Sequence, residues 1–381
     1  MIERKIRLLG ITNGNTSGVA YFRMQIPLNY LDTHSDKFEL LCLAAEEVDI
    51  TAKNLDNVDI VHFHANICSN KPLMDKLLSM QKRGCKLVMD LDDYFEIPKT
   101  NPFHKAYNET LQRPIVFYMG KVNYLTTTTK LYAKELKKYN KKVMVFPNVL
   151  DREIKQFNQP ITSPSKRLRV GLLCGSSHQY DIELLDNLVE QLKDYHDRIQ
   201  FVLCGFSVNE IPEASVWNVF EQILTDNYSI LDDDHKRYLL TYNKDSYPDE
   251  NKQYVRRWTK DVHTYGELYN DLDVLIAPLV NNKFNCMKSE LKVTEAGNFG
   301  KVFIGSSVGA YKETITDGFN GLLVKPFEND YGWAKQIKRL LDEPGLYDFL
   351  QSNLYNLNAT RYDVSKWNDK RISFYESLVT K

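Results

Sequence analysis

What the sequence lacks narrows the reading first. Its six cysteines (Cys42, Cys68, Cys85, Cys174, Cys204, Cys286) include no C-x-x-C pair. That removes zinc-ribbon and thioredoxin-like readings, and several sit in or beside apolar runs as reduced core thiols do. No apolar run approaches the ~20 residues of a membrane-spanning helix. The opening "MIERKIRLLGITNG" enters a strand and has no signal-peptide core. These absences predict a cytoplasmic protein with no transmembrane segment. Nor is there an excess of one charge: 49 Lys and Arg stand against 50 Asp and Glu. That argues against wholesale electrostatic capture of nucleic acid and leaves room for a local basic patch. Internal repeats and low-complexity tracts are missing too.

What is present is length and rhythm. A chain of 381 residues, 43% hydrophobic, can fill two cores. Short apolar runs alternate with helical periods. "IRLLGIT" (6–12), "FELLCLA" (38–44), "VDIVHFHA" (58–65), "KLVMDLDDY" (86–94), "YLTTTT" (124–129) and "KVMVFPNVL" (142–150) read as strands. Helices are expected over 19–31, 72–84 and 130–140. This βαβ pattern predicts a parallel sheet covered on both faces. The stretch "NQPITSPSKR" (158–167) reads as a linker. The rhythm then restarts with "LRVGLLCG" (168–175), a helix over 181–195, and the strands "IQFVLCGF", "DVLIAPL", "GKVFIGSS" and the short "GLLV". Residues 209–264 are irregular, and a helical tail ends the chain. The expected organisation is an α/β protein of two doubly wound, Rossmann-like domains, 1–157 and 168–360. The helix 361–381 is expected to pack back on the first. In such sheets ligands bind at the carboxyl ends of the strands.

The chemistry-bearing residues lie at those ends. "NGNTSGVAYFR" opens the first helix, and Gly14 and Gly18 would let backbone N–H groups approach an anion. His62 and His64 end a strand on one face. "DLDD" (90–93) suggests either a metal carboxylate cluster or an acidic strand end; no matching constellation supports a metal, so none is expected. Gly175, Ser176 and His178 repeat the small-residue turn in the second half. The segment "NKFNCMKSELKVTEAG" (282–297) is read as helical. Lys288, Lys292 and Glu295 would then share one stripe at i, i+4 and i+7. Asn285, Ser289 and that stripe could hold a diphosphate through lysine charge and a ribose through Glu295. "KLYAKELKKYNKK" gathers six lysines, and "YVRRWTK" adds Arg256 and Arg257 beside aromatics. Both read as solvated faces or as a basic patch.

Together these motifs resemble the retaining, glycogen-synthase-like GT-B glycosyltransferases (family four), in a bacterial and bacteriophage branch. The resemblance rests on "FNCMKSELKVTEAGNFGKVFIGSSVGAY…TDGFNGLLV", "SGVAYFRMQ", "DLDDYFEIP" and "FPNVLD". It implies sugar transfer with retention from a nucleotide diphosphate sugar, a UDP-sugar above others, with no further cofactor. The acceptor would be a surface glycan precursor or, in a phage setting, modified DNA bases. Lys288 and Lys292 would stabilise the leaving diphosphate, and His64 would lie near the reacting sugar. Gly18, Gly175, Ser176, His178, Asn285, Ser289 and Glu295 would complete the donor site. Arg23, Asp92 and Asp93 are acceptor-side candidates. Two departures stand out. Met287 occupies the place of the first glutamate in the E-x7-E pattern, and an Arg-x4-Lys pair early in the second half is missing. A nucleotide-sugar epimerase and a non-catalytic nucleotide-sugar-binding subunit are the alternatives.

Overall fold

The computed structural model describes residues 4–101, 104–162, 164–208, 211–244 and 252–379. The chain divides into two compact units. The first comprises residues 1–151, 286–291 and 361–381, and the second comprises 152–285 and 292–360.

The first unit is built on a six-stranded sheet. Its strands are β1 (Ile6–Thr12), β2 (Phe38–Ala44), β3 (Ile60–His64), β4 (Lys86–Leu91), β5 (Tyr124–Thr127) and β6 (Val143–Val145). All pairings are parallel, in the order β2-β1-β3-β4-β5-β6. The order reverses between β1 and β3, so the crevice of this sheet opens at their carboxyl ends. Central strands covered on both faces are buried along almost their whole length, as β3 and β4 are, and here they carry His62, His64 and Asp90 inside. One face is packed by Met24, Leu28 and Leu31 from the first helical stretch. Phe374, Tyr375 and Leu378 of the helix Val364–Val379 join them.

The second unit carries β7 (Leu168–Leu173), β8 (Ile199–Phe206), β9 (Tyr254–Trp258), β10 (Val274–Ala277), β11 (Val302–Ser306) and β12 (Leu322–Val324). They are again all parallel, in the order β12-β11-β10-β7-β8-β9. This is the dinucleotide-fold order, and its reversal falls between β7 and β10. The two sheets match the α/β, doubly wound architecture that the rhythm predicts.

Several local expectations change. The helix expected over 181–195 is broken into short turns, with Asn187 in the left-handed region at φ 64°. The irregular stretch contains the helices Val216–Leu224 and Asp233–Leu240 and the strand β9; its residues 209–210 and 245–251 lie outside the described residues. The 158–167 segment, of which residue 163 is not described, is tied down: Ser165 Oγ and N–H donate to the buried Asp273, and Lys301 Nζ donates to Thr162 Oγ1.

Candidate functional site

In the first unit the site residues grow from a buried arginine. Ser17 caps the helical stretch that follows β1, accepting from the Ala20 N–H at 3.1 Å. Gly14 in the preceding loop takes φ +85°, which suits glycine. A Cβ placed on Gly18 would meet nothing within 4 Å, so the backbone there is open to approach. A π-helical turn over Tyr21–Gln25 buries Tyr21, Phe22, Arg23 and Met24 in succession. Arg23 makes a forked pair with Asp90, Nε to Oδ2 at 2.8 Å and Nη2 to Oδ1 at 2.7 Å. Its Nη1 donates to the Phe146 carbonyl and to Asn148 Oδ1. Burial opposes both charges, but each outweighs that for the other. Arg23 stays above its ordinary pKa, and Asp90 is held down to about 2. Arg23 is thus a buried organiser of the strand ends rather than an exposed acceptor contact.

Two histidines hang on the same network. Thr126 Oγ1 donates to Asp90 Oδ1 at 2.6 Å, so it accepts from His62 Nε2–H at 2.9 Å. The Tyr375 hydroxyl then donates to His62 Nδ1 at 2.7 Å. Burial pushes the His62 pKa down to about 4, which keeps the ring neutral. His64 ends β3, and its Nδ1 accepts the Asn66 N–H at 3.2 Å. Its Nε2 therefore carries the proton, donated to Asp92 Oδ1 at 2.9 Å. Burial works against the charged ring, but the Asp92 carboxylate more than offsets it and raises the pKa. Both ring nitrogens are engaged at the carboxyl ends of β3 and β4.

Each acid of "DLDD" has a cationic or histidine partner: Asp90 has Arg23, Asp92 has His64, and exposed Asp93 lies 3.5 Å from Lys288 Nζ. Among the described residues no group of three His, Cys, Asp or Glu is placed to hold a metal. Lys288 and Ser289 belong to the 286–291 segment of this unit. Ser289 Oγ accepts from Asn148 Nδ2 at 3.0 Å, which extends the Arg23 network to that segment.

In the second unit the crevice between β7 and β10 is organised by a carboxylate that the sequence reading did not choose. Asp181 Oδ1 accepts the Val280 N–H at 2.7 Å and Asn285 Nδ2 at 2.8 Å, while His178 Nδ1 lies 2.7 Å from Oδ2. Asn285, 4% exposed, also donates to the Val280 carbonyl. One acid thus fixes the loop after β10 to the turn after β7. Gly175 and Ser176 form that turn, and a Cβ on Gly175 would meet only Ser177 Oγ at 3.9 Å.

The expected lysine stripe does not form. A turn over Lys283–Cys286 ends early, and the next helix is Leu291–Asn298, so Lys288 precedes it and is not one helical turn before Lys292. Within the helix, Lys292 Nζ lies 2.7 Å from Glu295 Oε2. Glu295 is 1% exposed; Tyr269 donates to its Oε2 at 2.6 Å and Tyr265 to its Oε1 at 2.5 Å. The pair is partly buried rather than a wet surface bridge. Gly297 brings this helix against Leu346–Arg361, since a Cβ there would sit 3.0 Å from the Leu354 carbonyl.

The basic patch read in "YVRRWTK" is a further correction. It is strand β9. Arg256 is buried in a fork with Glu221, and Arg257 pairs with Asp271 at 2.9 Å. Neither guanidinium forms an open phosphate-binding face. Asp181, Asn148, Tyr265 and Tyr269 were not chosen from the sequence. "HQYD" and "FPN" at strand ends were the available signals for the first two.

The two sheets and their strand orders define a GT-B glycosyltransferase architecture. Solved structures are similar over nearly the full length. The Anabaena HepE protein in complex with UDP and glucose aligns with a TM-score of 0.66 at 14% identity, covering 98% of this chain and 100% of that one. A glycosyltransferase from Rickettsia africae gives 0.65 at 15%, covering 99% of both. Sucrose-phosphate synthase from Thermosynechococcus elongatus gives 0.67 at 15%, covering 98% and 99%. At the level of sequence, residues 242–343 match the family described as "Glycosyl transferases group 1". That match includes the 282–297 segment and, with the fold, supports placement in the glycosyltransferase superfamily. No curated protein sequence matches. Among the described residues no helix is long and apolar enough to cross a membrane.

Proposed function

We propose that this chain is a retaining glycosyltransferase that uses a UDP-sugar and needs no metal. The observation that carries the reading is the crevice at the β7–β10 reversal, braced by Asp181, Asn285 and His178 and bordered by the open turn at Gly175. Such a reversal is where a doubly wound sheet takes a nucleotide. HepE, similar in fold, is solved with UDP.

In this reading Gly175 and Ser176 allow close approach of backbone to the diphosphate. Lys292 offsets its charge as the glycosidic bond breaks. Glu295, buried and held by two tyrosines, keeps Lys292 oriented rather than meeting the ribose itself. Retention follows from the resemblance alone, and the carboxylates in the 282–297 segment bear only on its route. Glu295 has three donors and Glu290 accepts from Tyr362, so neither is poised as a nucleophile. A front-face route, with the leaving phosphate taking the acceptor proton, fits that arrangement. His64, with both ring nitrogens committed, would hold Asp92 in position rather than bond the sugar itself. The engagement of Arg256, buried, and Arg257, partly exposed, in ion pairs favours a glycan acceptor over DNA.

Calorimetry with UDP and an acceptor screen read by mass and by anomeric NMR test this. Lys292→Ala should weaken UDP binding about tenfold, equivalent to about 1.4 kcal/mol. Product with an inverted anomeric centre would overturn retention, and product on DNA alone would overturn the glycan assignment. Complete loss of activity with chelator, restored by magnesium, would overturn metal independence.

A further inference from the structure

Between residues 113 and 150 the chain carries eight lysines and arginines and one acid, Glu135, although its formal net charge is −1. The structure gathers most of this charge at one place. Asn140 Nδ2 donates to the carbonyls of Met119 and Val122, which ties the turn before β5 to the turn before β6. Gln81 Nε2 donates to the Lys121 carbonyl and to Asn123 Oδ1, which adds the end of the helix Lys71–Lys82. Three turns are therefore joined at the amino ends of β4, β5 and β6. They present Lys82, Lys121, Lys137, Lys141 and Lys142, all exposed. None of the five has an ion-pair partner among the described residues, and Glu135 pairs with Lys138. Phe117 stands beside them, 57% exposed, with Lys121 Nζ 5.4 Å from its ring centre.

This is the pole of the sheet opposite the carboxyl ends, so the charge does not serve the crevice between β1 and β3. We propose that it docks the protein on an anionic phospholipid surface. Three features favour a bilayer over nucleic acid. The free cations are all lysines, which act as point charges and lack the fork that grips phosphates two oxygens at a time. They sit on turns and at one helix end, with no helix or strand pair among the described residues projecting to enter a groove. An exposed phenylalanine among lysines matches the interfacial pattern of an apolar side chain at headgroup depth inside a polybasic patch.

Sedimentation of the full-length protein with vesicles tests the proposal. About one-third phosphatidylglycerol in phosphatidylcholine supplies the anionic surface, pure phosphatidylcholine is the control, and a DNA duplex is added as competitor. Binding to anionic vesicles only, weakened by raised salt, is the expected result. Lys137→Glu with Lys141→Glu should weaken it roughly tenfold or more, and Phe117→Ala should weaken it several-fold at constant charge. Circular dichroism and UDP binding should match the parent in both variants. Equal binding to neutral vesicles, no binding at low salt, undiminished binding by the charge-reversed variant, or DNA binding without vesicle binding would each overturn the proposal.

Discussion

Two buried arginine–carboxylate forks, one in each unit, have the same local chemistry and different surroundings. In the second unit Arg256 grips Glu221 at 2.8 and 2.7 Å. Its Nη1 ends on the Leu239 carbonyl, and its guanidinium lies 3.9 Å from the Phe206 ring centre. Tyr254 and Tyr228 each donate to Glu221 at 2.8 Å. That network closes on itself among β9 and two helices. In the first unit the Arg23–Asp90 fork continues outward in two directions. It runs through Thr126 and His62 to Tyr375, and through Asn148 to Ser289. A closed fork fixes a fold; an open one also communicates position to the segment at its end.

The largest effect should come from breaking the closed fork. Arg256→Ala strands Glu221 among tyrosines, and losing one partner of a buried pair costs about 3–5 kcal/mol. Urea unfolding should show that loss, whereas UDP affinity of the folded fraction stays at the parent value. A variant with altered UDP affinity and parent stability would reverse the roles assigned to the two forks.

The open fork should reveal itself through pH. Folding holds His62 neutral down to about pH 4, while the unfolded chain takes up the proton near pH 6.5. Between those values the unfolded state binds more protons, so stability falls as pH falls, by roughly 3 kcal/mol across the window. His62→Gln keeps a donor and an acceptor without titrating there. Its stability from pH 6.5 to 4 should be flatter than the parent's by that amount, and parallel curves would remove His62 from the account. The difference between the two proteins cancels the contribution of His64, whose raised pKa acts in the opposite sense.

The smallest effect tests the outer end of the same network. Ser289→Ala removes one hydrogen bond from Asn148, worth about 0.5–1.5 kcal/mol in stability. If that bond sets the 286–291 segment for the donor, KM for the UDP-sugar should rise several-fold with kcat less affected. Asn148→Ala should add little to that rise in KM, because both variants cut the link to Ser289, although it also removes an acceptor from Arg23. Additive kinetic losses would show that the segment is held by other contacts.

These contrasts also explain what the sequence could and could not disclose. Apolar runs such as 201–206, 274–277 and 302–306 announce buried parallel strands, because short apolar stretches without alternation have few other homes. β9 escaped that logic. Its two arginines look like solvent-facing charge, and only the distant Glu221 and Asp271 make a strand of them. The stripe in 282–297 failed for a related reason. Helical spacing was counted through residues 287–290, where the chain leaves the helix and Ser289 and Glu290 bond instead to Asn148 and Tyr362. Strand-end motifs were legible as places; their partners, tens to hundreds of residues away, were not.

The helix Val364–Val379 has a consequence for how the protein is made. Its Phe374, Tyr375 and Leu378 form part of the wall on which β1, β3 and β4 pack, and Tyr375 caps His62. On the ribosome, the first six strands are complete by residue 145, yet this wall emerges more than two hundred residues later. At about 5–20 residues per second, the first sheet waits roughly 10–45 seconds with part of one apolar face open. The first unit to be translated is thus the last to be finished. A chaperone that shields exposed strands should therefore be held longest by nascent chains stalled before residue 364.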